Sequence, residues 1–166
     1  MAMHYVGQGQ GHAAGVCEAV RQSIVKCCVQ DHQNDPVAMA AWLENKSPEN
    51  ASVWVRSADS VALVAVRENT IVGFALAVFD ELALCYVVHE ALHQGIGKAL
   101  LLAIESQVRS RGIEALRLES TRTAEAFYAR NGYFASGPVQ VWAGMEGLPM
   151  AKALMADPAE KRTTWP

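Results

Sequence analysis

Two kinds of chemistry compete for residues 81–101, which read ELALCYVVHEALHQGIGKALL. The first is metal chemistry. His89-Glu90-Ala91-Leu92-His93 spells H-E-x-x-H; on a helix the two histidines share a face and can hold Zn²⁺, with the glutamate as general base. Glu114 is available as a further ligand. The surroundings object: residues 82–88 are rich in strand formers, and Gly95 and Gly97 fall inside or just after any such helix. Ile96 and Ala99 also occupy the glycine and histidine positions of the longer form of the motif. The pair reads as two loop histidines, with no metal. The second chemistry is anion binding. Gly95-Ile96-Gly97 follows a buried strand and opens a helix. Glycines let the backbone approach a ligand closely, and the free N–H groups of a first helical turn, with the helix dipole, suit a pyrophosphate. Lys98 on that turn can reach a phosphate.

Such a site needs a strand that ends and a helix that begins at fixed points, and hydrophobic periodicity supplies both. Val16, Cys17, Val20, Ile24, Cys27 and Cys28 space out an amphipathic helix over His12–Cys28. Asp35-Pro36 is an N-cap followed by proline at the first helical position, opening a helix to about Glu44 whose apolar face includes Val37, Ala40, Ala41 and Leu43. Residues 45–52 read as loop. The period then shortens. Val61–Val66 and Ile71–Phe79, separated by Arg67–Thr70, form a hairpin, and Leu82–Val88 continues as a strand apolar on both faces. Gly97–Arg111 returns to helical spacing through Leu100, Leu101, Ile104 and Val108, with Gly112 as the stop. Ile113–Ser120 is a strand with alternating Leu116 and Leu118. Thr123–Arg130 is a short helix closed by Asn131-Gly132, and Val139–Trp142 is a late strand. There is no internal repeat and no linker, so 1–155 reads as one domain and 156–166 as a polar tail. Gly7-Gln8-Gly9-Gln10-Gly11 has no strong strand before it and reads as a flexible loop rather than a phosphate loop.

With the motifs placed, a family resemblance emerges. The stretch Tyr86–Leu101 resembles motif A of the GNAT superfamily of N-acetyltransferases, Arg/Gln-x-x-Gly-x-Gly/Ala. Ala124-x-x-Phe127-Tyr128-x-x-x-Gly132-Tyr133 resembles that family's A-x-x-F-Y-x-x-x-G-F/Y. Element order also agrees from residue 12 to about 154, including a late strand at Leu148-Pro149-Met150-x-Lys152. The chain departs from the pattern where Leu92 stands for the Arg/Gln, His93 for a following glycine, and Thr121 for a common asparagine. Main-chain phosphate binding survives those changes, while a side-chain contribution is lost.

The resemblance implies an α/β three-layer fold, with a mixed, mostly antiparallel central sheet and helices on both faces, its fourth and fifth strands splayed to admit the pantetheine arm. It implies acetyl-CoA as co-substrate, held by Val87, Val88, His93, Gln94, Gly95, Ile96, Gly97 and Lys98 with Ala124 and Phe127, and a primary amine as acceptor. The physics of acetyl transfer sets three tasks. An amine with a pKa of about 10.4 must lose a proton; the thioester oxygen needs a donor as charge builds on it; the leaving thiolate needs a proton or a strong hydrogen bond. By resemblance, Glu81 takes the first, directly or through water. The main-chain N–H of Val87 or Val88 takes the second, and Tyr128 acts as general acid for the third. Trp42 and Trp54 can wall the acceptor site or pack in the core. Cys85 reads as buried filler, since no base is placed beside it. The acceptor stays open among polyamine, antibiotic, amino acid and protein terminus, and pairing into a homodimer stays open too. Two alternatives remain: a zinc hydrolase on residues 89–93, and a non-catalytic acyl-CoA-binding domain that needs neither Tyr128 nor Glu81.

Composition agrees with a packed globular protein. The 166 residues are 51% hydrophobic and 19% charged, and the net charge of −3 argues against broad nucleic-acid binding. The four cysteines form no C-x-x-C pair, the first residues are polar rather than signal-like, and no apolar run reaches membrane-spanning length. These features point to a reduced, cytoplasmic protein with no membrane partner.

Overall fold

The computed structural model describes residues 1–5 and 12–155; the glycine-rich stretch at 7–11 and the tail after 155 lie outside the described residues. A short strand β1 (Ala2–Tyr5) is followed by helix α1 (Ala13–Cys27), whose Val16, Val20 and Ile24 are fully buried. Helix α2 (Val29–His32) is one turn ending in a left-handed Gln33. Helix α3 (Pro36–Leu43) starts as expected, Asp35 accepting from the Val37 N–H at 3.1 Å with proline in the first turn. Its buried face differs from expectation. Ala38 is the residue it buries, and Val37 is 76% exposed, because so short a helix touches the rest along one narrow line.

Residues 45–52 are a loop only in part. Ser47 accepts from the Asn50 N–H at 3.1 Å and Pro48 opens α4 (Pro48–Arg56), which buries Ala51 and Val55. Strands β2 (Ser60–Arg67) and β3 (Thr70–Val78) form the expected hairpin. Glu68 and Asn69 at its tip are both left-handed, the conformation that matches a two-residue turn to strand twist. Strand β4 (Glu81–Val87) follows, then α5 (Ile96–Ser110), which buries Leu100, Leu101, Ile104 and Val108. Gly73 on β3 lets α5 come close, since a Cβ there would sit 2.9 Å from Leu100 Cδ1. The chain finishes with β5 (Ala115–Ser120), α6 (Glu125–Arg130), an unanticipated β6 (Phe134–Ala135), β7 (Gln140–Trp142) and β8 (Met145–Ala153).

The sheet order is β1-β2-β3-β4-β5-β8-β6, with β7 paired to β8. β4 and β5 run parallel and the other pairs antiparallel. Two apolar cores result, one on each face. One joins α5 and α6 to the sheet through Leu100, Ile104, Tyr128 and Tyr133; the other joins α1 and α4 through Val20, Ile24, Ala51 and Phe74.

Candidate active site

The parallel strands β4 and β5 meet at one register position, Glu81 opposite Arg117, with the Arg117 N–H donated to the Asp80 carbonyl at 2.8 Å. Past that point they part. The cause is local: the register between β3 and β4 shifts between Leu76/Leu84 and Ala77/Leu82, which makes Ala83 an extra residue on β4. A bulge of this kind bends and twists its strand away from its neighbour. So β4, although apolar on both faces, is only half-buried over Leu84–Val87, where full burial was expected.

Hydrogen-bond alternation decides which β4 amides face the opening. The Val88 N–H is donated to the Val72 carbonyl at 2.9 Å, so Val88 turns its main chain toward β3. In an antiparallel ladder the intervening residues turn theirs the other way. Val87 and Cys85 therefore point into the gap. Of the two amides expected to face a thioester oxygen, Val88's is already engaged and Val87's is the open one. The Val87 carbonyl accepts from Ser23 Oγ at 2.9 Å, fixing the strand end.

After β4 the chain makes a 3-10 turn over His89–Ala91; Leu92 is then extended and His93 left-handed with φ 59°. The two histidines of the H-E-x-x-H string thus never share a helix face, and the zinc reading loses its geometry. Among the described residues no group of three or more metal-ligating side chains gathers. Gly95, left-handed with φ 81°, caps α5, and the first bond of that helix runs from the Ala99 N–H to the Gly95 carbonyl. The amides of Gly95, Ile96, Gly97 and Lys98 therefore have no partner within the helix. His93, Gln94 and Lys98 are exposed around them, and Ile96 anchors the turn in the core at 2% exposure. Gln94 is held from two sides: its Nε2 donates to the Glu90 carbonyl at 3.2 Å, and its Oε1 accepts from the Arg67 guanidinium. Sequence reasoning missed Arg67, which sits at the end of β2 and reaches the turn only through the fold.

Gly97, Val87 and Phe127 come together at the gap. A Cβ on Gly97 would lie 3.4 Å from Phe127 and 3.8 Å from Val87, so the strand end, the α5 N-terminus and α6 meet there in van der Waals contact. Tyr128 is 7% exposed, edge-on to Phe127 at 5.2 Å and to Tyr133 at 5.7 Å. Burial pushes the phenol pKa well above its usual 10, and burial pushes Cys85 to about 12, with the neighbouring Tyr128 hydroxyl opposing that rise. Cys85 is thus a protonated thiol, as its reading as filler requires.

Thr121, where the motif carries asparagine, accepts from the Ala124 N–H at 3.1 Å and so caps the same turn. Asp31, distant in sequence and missed by it, completes the anchor. Its carboxylate accepts from the Arg122 N–H at 2.7 Å, the Thr123 N–H at 3.3 Å and the Thr123 hydroxyl.

A cavity of about 260 Å³ opens beside these groups, walled by Trp42, Lys46, Glu81, Tyr86, Glu119 and Trp142 among others. Glu81 is held by Arg117 Nη2 at 3.1 Å. Trp42 lies on this wall. Trp54 does not: it stacks on Phe74 at 6.2 Å in the core between α4 and the sheet. Trp142, from the late strand, is a second indole that sequence reasoning did not place there.

The site is thus a mostly antiparallel sheet that parts between two strands, with the N-terminus of a helix beside the parting. Residues 28–154 match the family model described as Acetyltransferase (GNAT) domain, and the chain belongs to that family. Solved structures agree in fold. A GCN5-related N-acetyltransferase from Rhodopseudomonas palustris superposes with TM-score 0.79 at 22% identity, covering 92% of this chain and 95% of that one. The PaiA N-acetyltransferase from Thermoplasma acidophilum, in complex with coenzyme A, gives 0.74 at 22% identity over 92% and 99% of the chains. The aminoglycoside 6'-N-acetyltransferase from Enterococcus faecium gives 0.72 at 16% over 95% and 99%. A search of curated proteins finds no match. Among the described residues no helix is long and apolar enough to cross a membrane.

Proposed function

We propose that the chain transfers an acetyl group from acetyl-CoA to a primary amine by direct attack within a ternary complex. The observation that carries this is the meeting of Val87, Gly97 and Phe127 at a gap, with Tyr128 buried edge-on to Phe127. Acetyl-CoA supplies an activated thioester, and the residues present fit it: free amides at 95–98 and a narrow opening with an open Val87 amide. In this reading the turn at 93–98 binds the pyrophosphate, with Lys98 adding charge, while Ala124 and Phe127 wall the arm. The Val87 N–H steadies the carbonyl oxygen as it gains charge, the role in which a single donor is worth about 10²–10³ in rate. Glu81, on the cavity wall, accepts the amine proton directly or through water. Tyr128 donates a hydrogen bond to the departing sulfur.

Calorimetry with acetyl-CoA, followed by an acceptor screen that reads free CoA release, tests this. Heat on binding and CoA release that depends on an added amine are expected. Binding without turnover for any amine would leave an acyl-CoA-binding domain instead. No heat with any acyl-CoA would end the reading.

A further inference from the structure

The cavity beside Glu81 holds two charges that have no ion-pair partner among the described residues. Its other carboxylates are engaged: Asp31 by the backbone of Arg122 and Thr123, Glu81 by Arg117, and Glu146 by Arg122. Glu119 has no cation within ion-pair distance among the described residues. It lies against Gly147, where a Cβ would fall 2.0 Å from its Oε1, so a residue without a side chain makes room for that carboxylate. The second is Lys46. It is 7% exposed, and among the described residues its Nζ donates only to Asn45 Oδ1 at 2.6 Å. An ammonium has three N–H donors, so two lack an acceptor among those residues.

A buried ammonium without a counter-ion is costly, and burial accordingly lowers the Lys46 pKa. The fold does not ask for that side chain. What ties α1 to this segment is the Lys46 carbonyl, which accepts from Cys17 Sγ at 3.3 Å and from the Arg21 guanidinium at 2.9 Å. The side chain also lines an adjoining cavity with Trp42, Asn45, Asn50 and Trp142, where Glu44 stands exposed at the rim. Both cavities share Trp42, Lys46 and Trp142. A molecule in the cavity beside Glu81 therefore meets both the Glu119 carboxylate and the buried Lys46.

We propose that the acceptor is an amine that also carries a carboxylate, with Lys46 binding the carboxylate and Glu119 drawing in the ammonium end. This rests on the acetyl-transfer reading. It narrows the acceptor to amino acids and related zwitterions, and it disfavours simple polycations, which would leave Lys46 buried against like charge.

Matched pairs test it: leucine against leucinamide, tryptophan against tryptophanamide, and 6-aminohexanoate against its amide. Binding is read by quenching of tryptophan fluorescence with coenzyme A present, and turnover by CoA release. At least one pair should favour the carboxylate by about tenfold or more, the size of a charge-assisted hydrogen bond. That preference should vanish in Lys46→Gln and return in Lys46→Arg, the return showing that the cation rather than the packing is read. Amides equal to or better than carboxylates, no binding by any pair, or an unchanged preference in Lys46→Gln would each overturn the inference. Acetyl-CoA affinity is measured on the same samples. Normal affinity without carboxylate preference refutes this inference alone, whereas loss of acetyl-CoA binding in the wild-type protein refutes the acetyl-transfer reading beneath it.

Discussion

Replacing Asp31 with alanine tests how the site is held together. The carboxylate is 9% exposed and receives two main-chain N–H groups and one hydroxyl from residues 122–123. Removing it orphans three donors, each worth about 1–3 kcal/mol when left unmet in a buried place. Arg122 and Thr123 are themselves exposed, so water takes over part of the loss and the low end applies, about 2–3 kcal/mol in all. For a domain of this length that lowers Tm by roughly 5–10 °C. The same bonds fix the turn that carries α6, with Tyr128 on it. A displacement of about 1 Å at a reacting group can cost on the order of 10² in rate. Thus kcat should fall between about 10- and 100-fold, while the acetyl-CoA affinity, which the proposed reading assigns mainly to the turn at 93–98, changes little. Asp31→Asn keeps one acceptor oxygen and should lose about half as much stability. The decisive assay is a double-mutant cycle. In a Tyr128→Phe background Asp31→Ala should cost little further rate, since what it positions is gone. If the two rate losses multiply, or if Tm falls with kcat intact, Asp31 does not act through Tyr128.

Two other perturbations follow from geometry and burial. Gly97→Val drives a branched side chain toward Phe127 and Val87, where even a Cβ comes within 3.4 Å; acetyl-CoA affinity should fall at least tenfold by calorimetry with the helical circular dichroism unchanged, and unaltered affinity would show that the gap at Gly97 is not the cofactor's. Cys28 is raised by burial from 9.0 to about 12; because the folded value lies above the unfolded one, its stabilising contribution is complete below about pH 8.5 and is lost as pH rises toward 12, at about 1.4 kcal/mol per pH unit. Urea melts at pH 8 and pH 10 should differ by that order, with the difference reduced in Cys28→Ala; equal slopes in both proteins would refute it.

What could be read in advance depended on whether the signal was local. α5 was legible because Leu100, Leu101, Ile104 and Val108 repeat on one face and Gly112 supplies a left-handed stop. α4 was missed although Ser47-Pro48 is the same kind of start as Asp35-Pro36, for it buries only Ala51 and Val55, too few and too small to show a period. β4 misled by its apolarity. Leu84–Val87 are apolar on both faces because a gap lies beside them, and pattern alone cannot tell a gap from a core. Of the site itself, the glycines at 95 and 97 and the block from Ala124 to Tyr128 were local strings. Asp31, Arg67, Lys46 and Trp142 were invisible for the opposite reason: each reaches the site through contacts that join distant segments, and nothing in the adjoining residues marks it.

The direction of the Tyr128 shift decides what kind of acid it can be. A cysteine-like thiol has a pKa of about 8.5, and the Tyr128 phenol, lifted by burial, lies well above 10. Handing its proton outright to a thiolate is therefore uphill. What the phenol does well is stay protonated throughout the working range and offer a hydrogen bond to sulfur. The net proton then comes from the amine, through the base on the acceptor side. This sets the shape of the pH profile. kcat/KM should rise as the acceptor and its base lose protons, then stay level to about pH 10, with no descending limb from Tyr128. Tyr128→Phe should drop the whole curve by about 10²–10³, the cost of one lost donor, without moving the midpoint of its rise. A fall between pH 8 and 9.5 that disappears in the phenylalanine variant would show a phenol titrating in water, and the buried position of Tyr128 could not then be the one that works in turnover.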